Sequence, residues 1–266
     1  MPAFDPAKDI RILRAPTVYL TGRQMVDAGD VDRFLADHGV SWQSDTEVAG
    51  EQLAEVAGRL CYMSFAKPRP GGNKAYLDHI LEVGHGSVLE HAVWSFIFTG
   101  VSRSLTHELV RHRSGFGYSQ LSQRYVDESV AEYVEPDVIA DDPESHAIWL
   151  EAVGHVHQAY MKLVARLAEQ FRDEPDRTLR RKLARQAARS VLPNATETKI
   201  FVTANARALR HFIESRASRH AEVEIRKLAV QVLRIMQVEA PNLFADYQLT
   251  PLPDGTFEAT TPHRKV

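Results

Sequence analysis

The stretch RHRSGFGYSQLSQRY, residues 111–125, gathers cations, glycines, hydroxyls and amides that neither a packed core nor a solvated loop requires. Glu108, Arg111 and His112 stand at i, i+3 and i+4, one face of a helix if the segment is helical. Arg113 follows, then a glycine-containing turn, then Ser119, Gln120, Ser122 and Arg124. Guanidinium forks and turn N–H groups hold phosphate, and amide and hydroxyl groups suit the edge of a planar base. A surface cluster of ion pairs is the plainer reading of the same pattern.

Two more cationic groups lie downstream. Arg177, Arg181, Arg185 and Arg189 recur every four residues in RTLRRKLARQAAR (177–189), with no acid between them. That is one positive stripe: a solvated helix face, an anion site at one end, or a surface for nucleic acid. Aromatic residues are not interleaved with these arginines, which weakens the last reading. In NARALRHFIESRASRH (205–220), Arg207 and His211 are four apart, as are Arg216 and His220. Asn205 stands in front of them as an N-cap.

Other chemistries fail on spacing. HELVR (107–111) lacks the second His of HExxH, and His107 and His112 sit roughly 140° apart around a helix, so they cannot share a zinc ion. GHGSVL and GFGYSQ lack the third glycine of a dinucleotide fingerprint, and no Walker A or GxSxG sequence exists. No metal site is expected. Ser122 has no evident base, and a serine hydroxyl is a weak nucleophile without one. Cys61, with apolar neighbours, reads as a small buried packing thiol.

The elements that must position these groups are legible in outline. Residues 73–84 predict a helix with Asn73 as N-cap, Tyr76, Ile80 and Val83 on one face, and Gly84 at the stop. Ser87 and Glu90 have capping-box spacing. Residues 93–99 predict a strand, 102–112 a helix, 136–145 a surface loop, and 146–171 and 177–191 helices, with Pro193 ending the last. A strand over 198–204 runs into Asn205, and helices follow to about 239, the last with Ile225, Leu228, Val232 and Ile235 as its apolar stripe. Helices outnumber strands without regular alternation. The expected fold is α+β: a single domain, 1–266, with a central, mainly antiparallel or mixed sheet packed by helices, plus a helical layer.

Bulk properties set the outer bounds. The chain has 266 residues, 44% hydrophobic and 25% charged, which suits a globular protein with a sizeable core. A net charge of -3 favours neither a nucleic-acid nor a membrane partner. One cysteine excludes an intrachain disulfide and fits a reducing cytoplasm. The segment MPAFDPAKDIRIL has no long apolar region of a secretory signal, and no apolar run reaches the ~20 residues of a membrane span.

Taken together, the motifs resemble the flavin-dependent thymidylate synthases, the ThyX family. The carriers are RHR…LSQRY, CYMSFAKP (61–68), GHGSVLEH (84–91), SRSLTHELVRHR (102–113), RQAARSVLPNATET (185–198) and NARALRHFIESRASRHAEVEIR (205–226). They run in family order from about residue 45 to 250. One departure stands out: eight residues, SGFGYSQL, separate Arg113 from Ser122, where the family pattern has seven. The extra residue falls among 114–117.

The resemblance implies reductive methylation of dUMP to dTMP. Methylenetetrahydrofolate is then the carbon donor, FAD the redox cofactor and NADPH the reductant, and no protein nucleophile is required. It also implies a homotetramer with shared active sites. The implied dUMP residues are Glu108, Arg111, Gln120, Leu121, Ser122, Gln123, Arg124, Arg189 and Arg216. Arg124 and Arg189 are suited to the phosphate. Arg216 is matched to the uracil edge, where a fixed cation stabilises the ring as N3 ionises. The implied FAD residues are Ser87, Arg111, His112, Arg113, Gln120, Asn205, Arg207 and His211, with Ser64 a weaker match and His85 facing the folate. The alternative is a relative that keeps nucleotide and flavin binding but has lost or altered activity through its longer loop.

Overall fold

The computed structural model describes residues 6–67, 69–126, 128–130 and 132–266, and only the backbone of residues 7, 8 and 129. The first five residues and Pro68, the last of CYMSFAKP, lie outside the described residues. In chain order the elements are α1 (Pro6–Asp9), β1 (Arg11–Leu13), β2 (Thr17–Arg23), α2 (Ala28–Asp37), α3 (Ala49–Leu60) and α4 (Gly72–Glu82). A 3-10 turn (Gly86–His91) leads to β3 (Val93–Ser102), α5 (Arg103–Leu109), β4 (Phe116–Gln120), β5 (Glu132–Val134), α6 (Asp137–Ala140), α7 (Pro143–Gln170) and α8 (Arg177–Ala188). Then come β6 (Glu197–Asn205), α9 (Ala206–Arg216), α10 (Val223–Glu239), α11 (Pro241–Phe244), β7 (Gln248–Pro251) and β8 (Phe257–Thr260). The fold is α+β, with a four-stranded sheet ordered β2-β3-β6-β4 and two smaller pairs, parallel β1–β5 and antiparallel β7–β8.

The chain divides into two compact units built from interleaved segments. The first comprises Met1–Thr17, Phe98–Leu109 and Ser119–Ile200. Its long helix α7 starts where Asp142 accepts a hydrogen bond from the Ser145 N–H at 2.8 Å and Pro143 takes the first turn. Asp176 caps α8 in the same way, through the N–H groups of Thr178 and Leu179. Ile10, Tyr133 and Val153 form a small core, with Ile12 and Trp149 packed against it.

The second unit comprises Val18–Ile97, Val110–Tyr118 and Phe201–Val266. Asn205 caps α9 as its type predicts, its Oδ1 accepting from the Ala208 N–H at 2.8 Å. Helix α10 buries Ile225, Leu228 and Val232. Helix α3 carries a polar network inside the unit. Glu55 accepts from Arg59 (2.7 Å), Asn73 (2.7 Å) and the Trp42 indole (3.2 Å). Glu51 accepts from Thr46 (2.7 Å) and from both the backbone and side chain of Asn242 (2.8 and 3.0 Å). Each of these carboxylates is met by donors, which is what makes burial of such groups tolerable.

Several local expectations need correction. Asn73 does not cap α4: Gly71 stands there, and the Asn73 amide is spent on Glu51 and Glu55. The buried face of α4 is Leu77, Ile80 and Leu81, and Val83 is exposed. Ser87 and Glu90 form no capping box, because the segment is a 3-10 turn without a side-chain cap. Residues 102–112 are helical only over Arg103–Leu109, started by the Ser102 hydroxyl, which accepts from the Leu105 N–H at 3.0 Å. Glu108, Arg111 and His112 therefore do not share a helical face. Phe116–Gln120 is a strand, the loop at 136–145 contains α6, and α7 begins at Pro143. Cys61 is exposed, beyond the last residue of α3. Among the described residues no helix is long and apolar enough to cross a membrane, and no cluster of three or more His, Cys, Asp or Glu side chains could hold a metal.

Candidate active site

The sequence-predicted residues fall into two sets, one in each unit. In the second unit, Arg111, His112, Arg113, His211 and Arg216 line a cleft of about 520 Å³ with Ser114, Phe116 and Ser215. Helix α9 supplies His211 and Arg216, five residues apart near its C-terminal end. The turn after α5 supplies Arg111, His112, Arg113 and Ser114, β4 supplies Phe116, and α9 also supplies Ser215.

His112 is the buried member, 9% exposed. Its ring lies against Phe116, His211 and Phe212, with centroids 6.0, 5.6 and 5.4 Å away. The Arg216 Nε–H donates to His112 Nε2 at 3.0 Å. Burial, aided by the charge of Arg216 and by His211, pulls the imidazole down to about 4, so it is neutral at physiological pH. The Tyr118 hydroxyl donates to the His112 carbonyl at 2.6 Å, and the Tyr118 ring stacks on Phe116 at 5.6 Å and 6°. Burial pushes the Tyr118 phenol up, which keeps it a donor.

The loop after Arg113 turns at Gly115. Its φ is +72°, and a Cβ there would lie 2.7 Å from Asn205 Nδ2 and 2.8 Å from the Ala208 Cβ. The Gly115 carbonyl accepts from the Asn205 N–H at 3.1 Å. The turn is thus docked on the N-cap of α9. Gly115→Ala is expected to cost about 1–3 kcal/mol, read in a denaturant melt, because the left-handed backbone and the contact both oppose a side chain. An unchanged midpoint would show that the turn is not held there.

Ser87 is exposed in the 3-10 turn, and the Arg207 guanidinium ion-pairs with Glu90 of that turn at 2.6 Å. Glycine is required at 86: a Cβ would lie 2.8 Å from Arg207 Nε and 2.8 Å from the Val266 carbonyl carbon. Asn205 uses its side chain on the helix cap.

The first unit holds the other set. The Gln120 amide donates to Thr106 and Thr198 at 3.0 and 3.4 Å, which fixes it. Ser122 begins a turn: its carbonyl accepts from the Tyr125 and Val126 N–H groups, and its hydroxyl accepts from the Arg124 N–H at 3.4 Å. Gln123 is buried, and Glu108 and Arg189 are half-buried. Arg185 donates to the Tyr125 carbonyl at 2.8 Å, and Lys182 lies 5.1 Å over the Tyr125 ring. Arg185 of the arginine stripe therefore serves this turn, while Arg177 and Arg181 are exposed.

Arg103 belongs with this set, although its spacing does not single it out. One of its terminal N–H groups donates to the Leu121 carbonyl at 2.9 Å. Burial lowers its pKa, with Glu128 opposing and Arg189 adding to the effect. The Nε–H groups of Arg103 and Arg124 are buried and have no hydrogen-bond partner among the described residues. A buried guanidinium donor is costly unless a partner completes it, and an anion is one such partner. The signal lies within SRSLTHELVRHR, where Arg103 is one more cation ahead of the triplet.

The donor chemistry of both sets suits phosphorylated, planar ligands. Cationic forks and hydroxyls are present, and the Ser122 hydroxyl accepts from the Arg124 backbone N–H.

Comparison with known proteins agrees with this chemistry. The model of the family described as thymidylate synthase complementing protein matches residues 45–242. The chain is 54% identical over 231 residues, 86% of its own length and 92% of theirs, to proteins named flavin-dependent thymidylate synthase from Mycobacterium avium (strain 104) and Mycobacterium tuberculosis (strain ATCC 25177 / H37Ra). Crystal structures of a UMP/dUMP methylase, PolB from Streptomyces cacaoi, bound with 5-Br UMP or 5-Br dUMP, share the fold. Their TM-scores are 0.63 and 0.64 at 21% and 20% identity, over 89% of this chain and 95% and 96% of those. The family match over residues 45–242 and the 54% identity over most of the chain lead to one assignment: this chain belongs to the thymidylate synthase complementing protein family.

Proposed function

We propose that this protein is a flavin-dependent thymidylate synthase that converts dUMP to dTMP, with methylenetetrahydrofolate as carbon donor and NADPH as reductant through FAD. The observation that carries the reading is that the buried Nε–H groups of Arg103 and of Arg124, two residues past Ser122, each have no partner among the described residues. A nucleotide phosphate is the anion that would satisfy them. The whole chain acts as one synthase domain in this reading, and as a homotetramer with shared active sites.

FAD fits the cleft of the second unit in the chemistry of its donors: Arg111, Arg113 and Ser114 present cations and a hydroxyl, and Phe116 and His211 present ring surface. Ser87 and Arg207 would take the remaining anionic part. Bound FAD supplies two-electron redox chemistry. The chain's own residues bind and orient: Gln120 presents a fixed amide, the Ser122 turn and Arg124 take the phosphate with Arg189, and Arg216 holds positive charge against the pyrimidine. No side chain forms a covalent bond to substrate.

The test is a visible spectrum of the protein incubated with FAD and desalted, then titrated with dUMP, followed by turnover with methylenetetrahydrofolate and NADPH. Retained flavin bands that shift with dUMP, together with dTMP formation, are expected. Bands indifferent to dUMP, or no dTMP, would overturn the reading.

A further inference from the structure

We infer that residues 263–266 form a strap that closes the anion subsite at Arg207, so that FAD gains its full hold on this chain only when the strap lifts. The inference rests on the reading of Arg207 as a residue that meets the anionic part of FAD. The Arg207 guanidinium is engaged on two sides. One terminal N–H donates to Glu90 at 2.6 Å. Its Nε meets the backbone of Val266 over Gly86, where a Cβ would lie 2.8 Å from each. Val266 is 8% exposed there, although Arg264 and Lys265 before it are exposed. A guanidinium takes a phosphate best through two parallel N–H groups of its fork. A phosphate approaching the Nε edge of Arg207 therefore competes with Val266 for the same place.

The strap is held by a polar latch and hangs from a fixed point. At that point Arg210 donates to the His263 carbonyl at 3.3 Å, and the His263 N–H donates to the Thr261 hydroxyl at 3.0 Å. Beyond it, Glu214 of α9 accepts from Arg264 Nε at 3.0 Å and from the Lys265 N–H at 2.9 Å. Glu214 and Arg264 also line a cavity of about 270 Å³ with Ser218, His220 and Thr261, so open space and polar groups lie beside this stretch. Lys265 has a φ of +60°, the left-handed backbone that a side chain disfavours. The closed strap thus carries strain and depends on one carboxylate. A ligand that binds only the open form has its apparent affinity reduced by the fraction of chains that are open, so the latch and the strain set how tightly FAD is held.

Two measurements decide it. The first is FAD affinity, read from flavin fluorescence on titration, in two variants that move the strap in opposite directions. Glu214→Ala removes the latch and is expected to bind FAD about 3–10-fold more tightly than wild type. Lys265→Gly relieves the left-handed backbone, favours the closed strap and is expected to bind FAD about 3–10-fold more weakly. Equal affinity in all three proteins, or the reverse order, overturns the strap and leaves the synthase reading standing. Lys265→Gly changes an exposed position, so it decides the matter by itself should Glu214→Ala fold poorly. The second is hydrogen exchange at the Lys265 amide, followed by NMR in wild-type protein labelled with 15N-lysine. Protection without flavin, lost on loading with FAD, is expected. An amide unprotected before loading, or still protected after it, overturns the strap. If none of the three proteins takes up FAD, the synthase reading fails and the strap falls with it.

Discussion

Arg216→Ala is expected to reduce kcat by about 10²–10³-fold, the usual loss when one preorganised donor to a developing anion is removed. The chain should stay folded and keep its flavin. Arg216 is the last residue of α9, where the helix dipole favours a cation, and it is half-buried at the cleft rather than part of the core. Arg216→Lys should not restore the rate. A lysine ammonium keeps the charge but has no Nε–H for His112 and no planar edge for a uracil. Steady-state turnover at saturating dUMP, with the flavin content of each variant checked, is the measurement. A kcat within threefold of wild type in Arg216→Ala would remove Arg216 from the chemistry.

Asp246→Ala is expected to have the largest effect on stability, a loss of about 3–5 kcal/mol, because it strands a buried cation. Arg210 is 2% exposed and donates to Asp246 through two terminal nitrogens, each at 2.7 Å. Further bonds run to the Leu243 and His263 carbonyls, and the guanidinium lies 4.8 Å over the Tyr247 ring. Burial pushes the Asp246 carboxyl up, but Arg210 and Thr261 outweigh it and hold it below its ordinary value. The pair's contribution is therefore full above the ordinary aspartate range near pH 4 and is lost as pH falls through the lower, folded value. Denaturant melts at neutral pH should show the loss. Replacing both partners, Arg210→Met with Asp246→Leu, should cost less than Asp246→Ala alone; a larger cost would mean that the two do not act as a pair.

Much of the site is legible in the sequence because its signals are local. Asn205 caps α9 through its own side chain. The stripe ending at Arg189 is set by helical spacing. The arginines and histidines of the cleft stand in motifs whose order alone indicates the family. What stays hidden depends on partners distant in sequence. GFGYSQ reads as a turn because of its two glycines, yet it is a strand because β6 offers it hydrogen-bonding partners: the Leu121 N–H donates to the Lys199 carbonyl at 2.9 Å just past its end. Asn73 has the right type for a cap, but two buried carboxylates claim it. Helix α3 is hard to find because Glu51, Glu55 and Arg59 give its inner face the look of a solvated one, although all three are buried. Cys61 looks apolar by its neighbours and is exposed because α3 has already ended.

The network on α3 has a consequence for how this chain can change over time. Glu51, Glu55, Arg59 and Asn73 lie within 23 residues of one another, whereas Asn242, which closes the network on Glu51 and on Asn73 at 2.9 Å, comes from the far end of the chain. A substitution at any one of the five leaves a buried polar atom without its partner. Lineages should therefore exchange them together or not at all, and an alignment of relatives should show positions 51, 73 and 242 covarying. The same constraint reaches recombination: a chimera whose crossover falls between residues 73 and 242 will fold well only if both parents carry the same set.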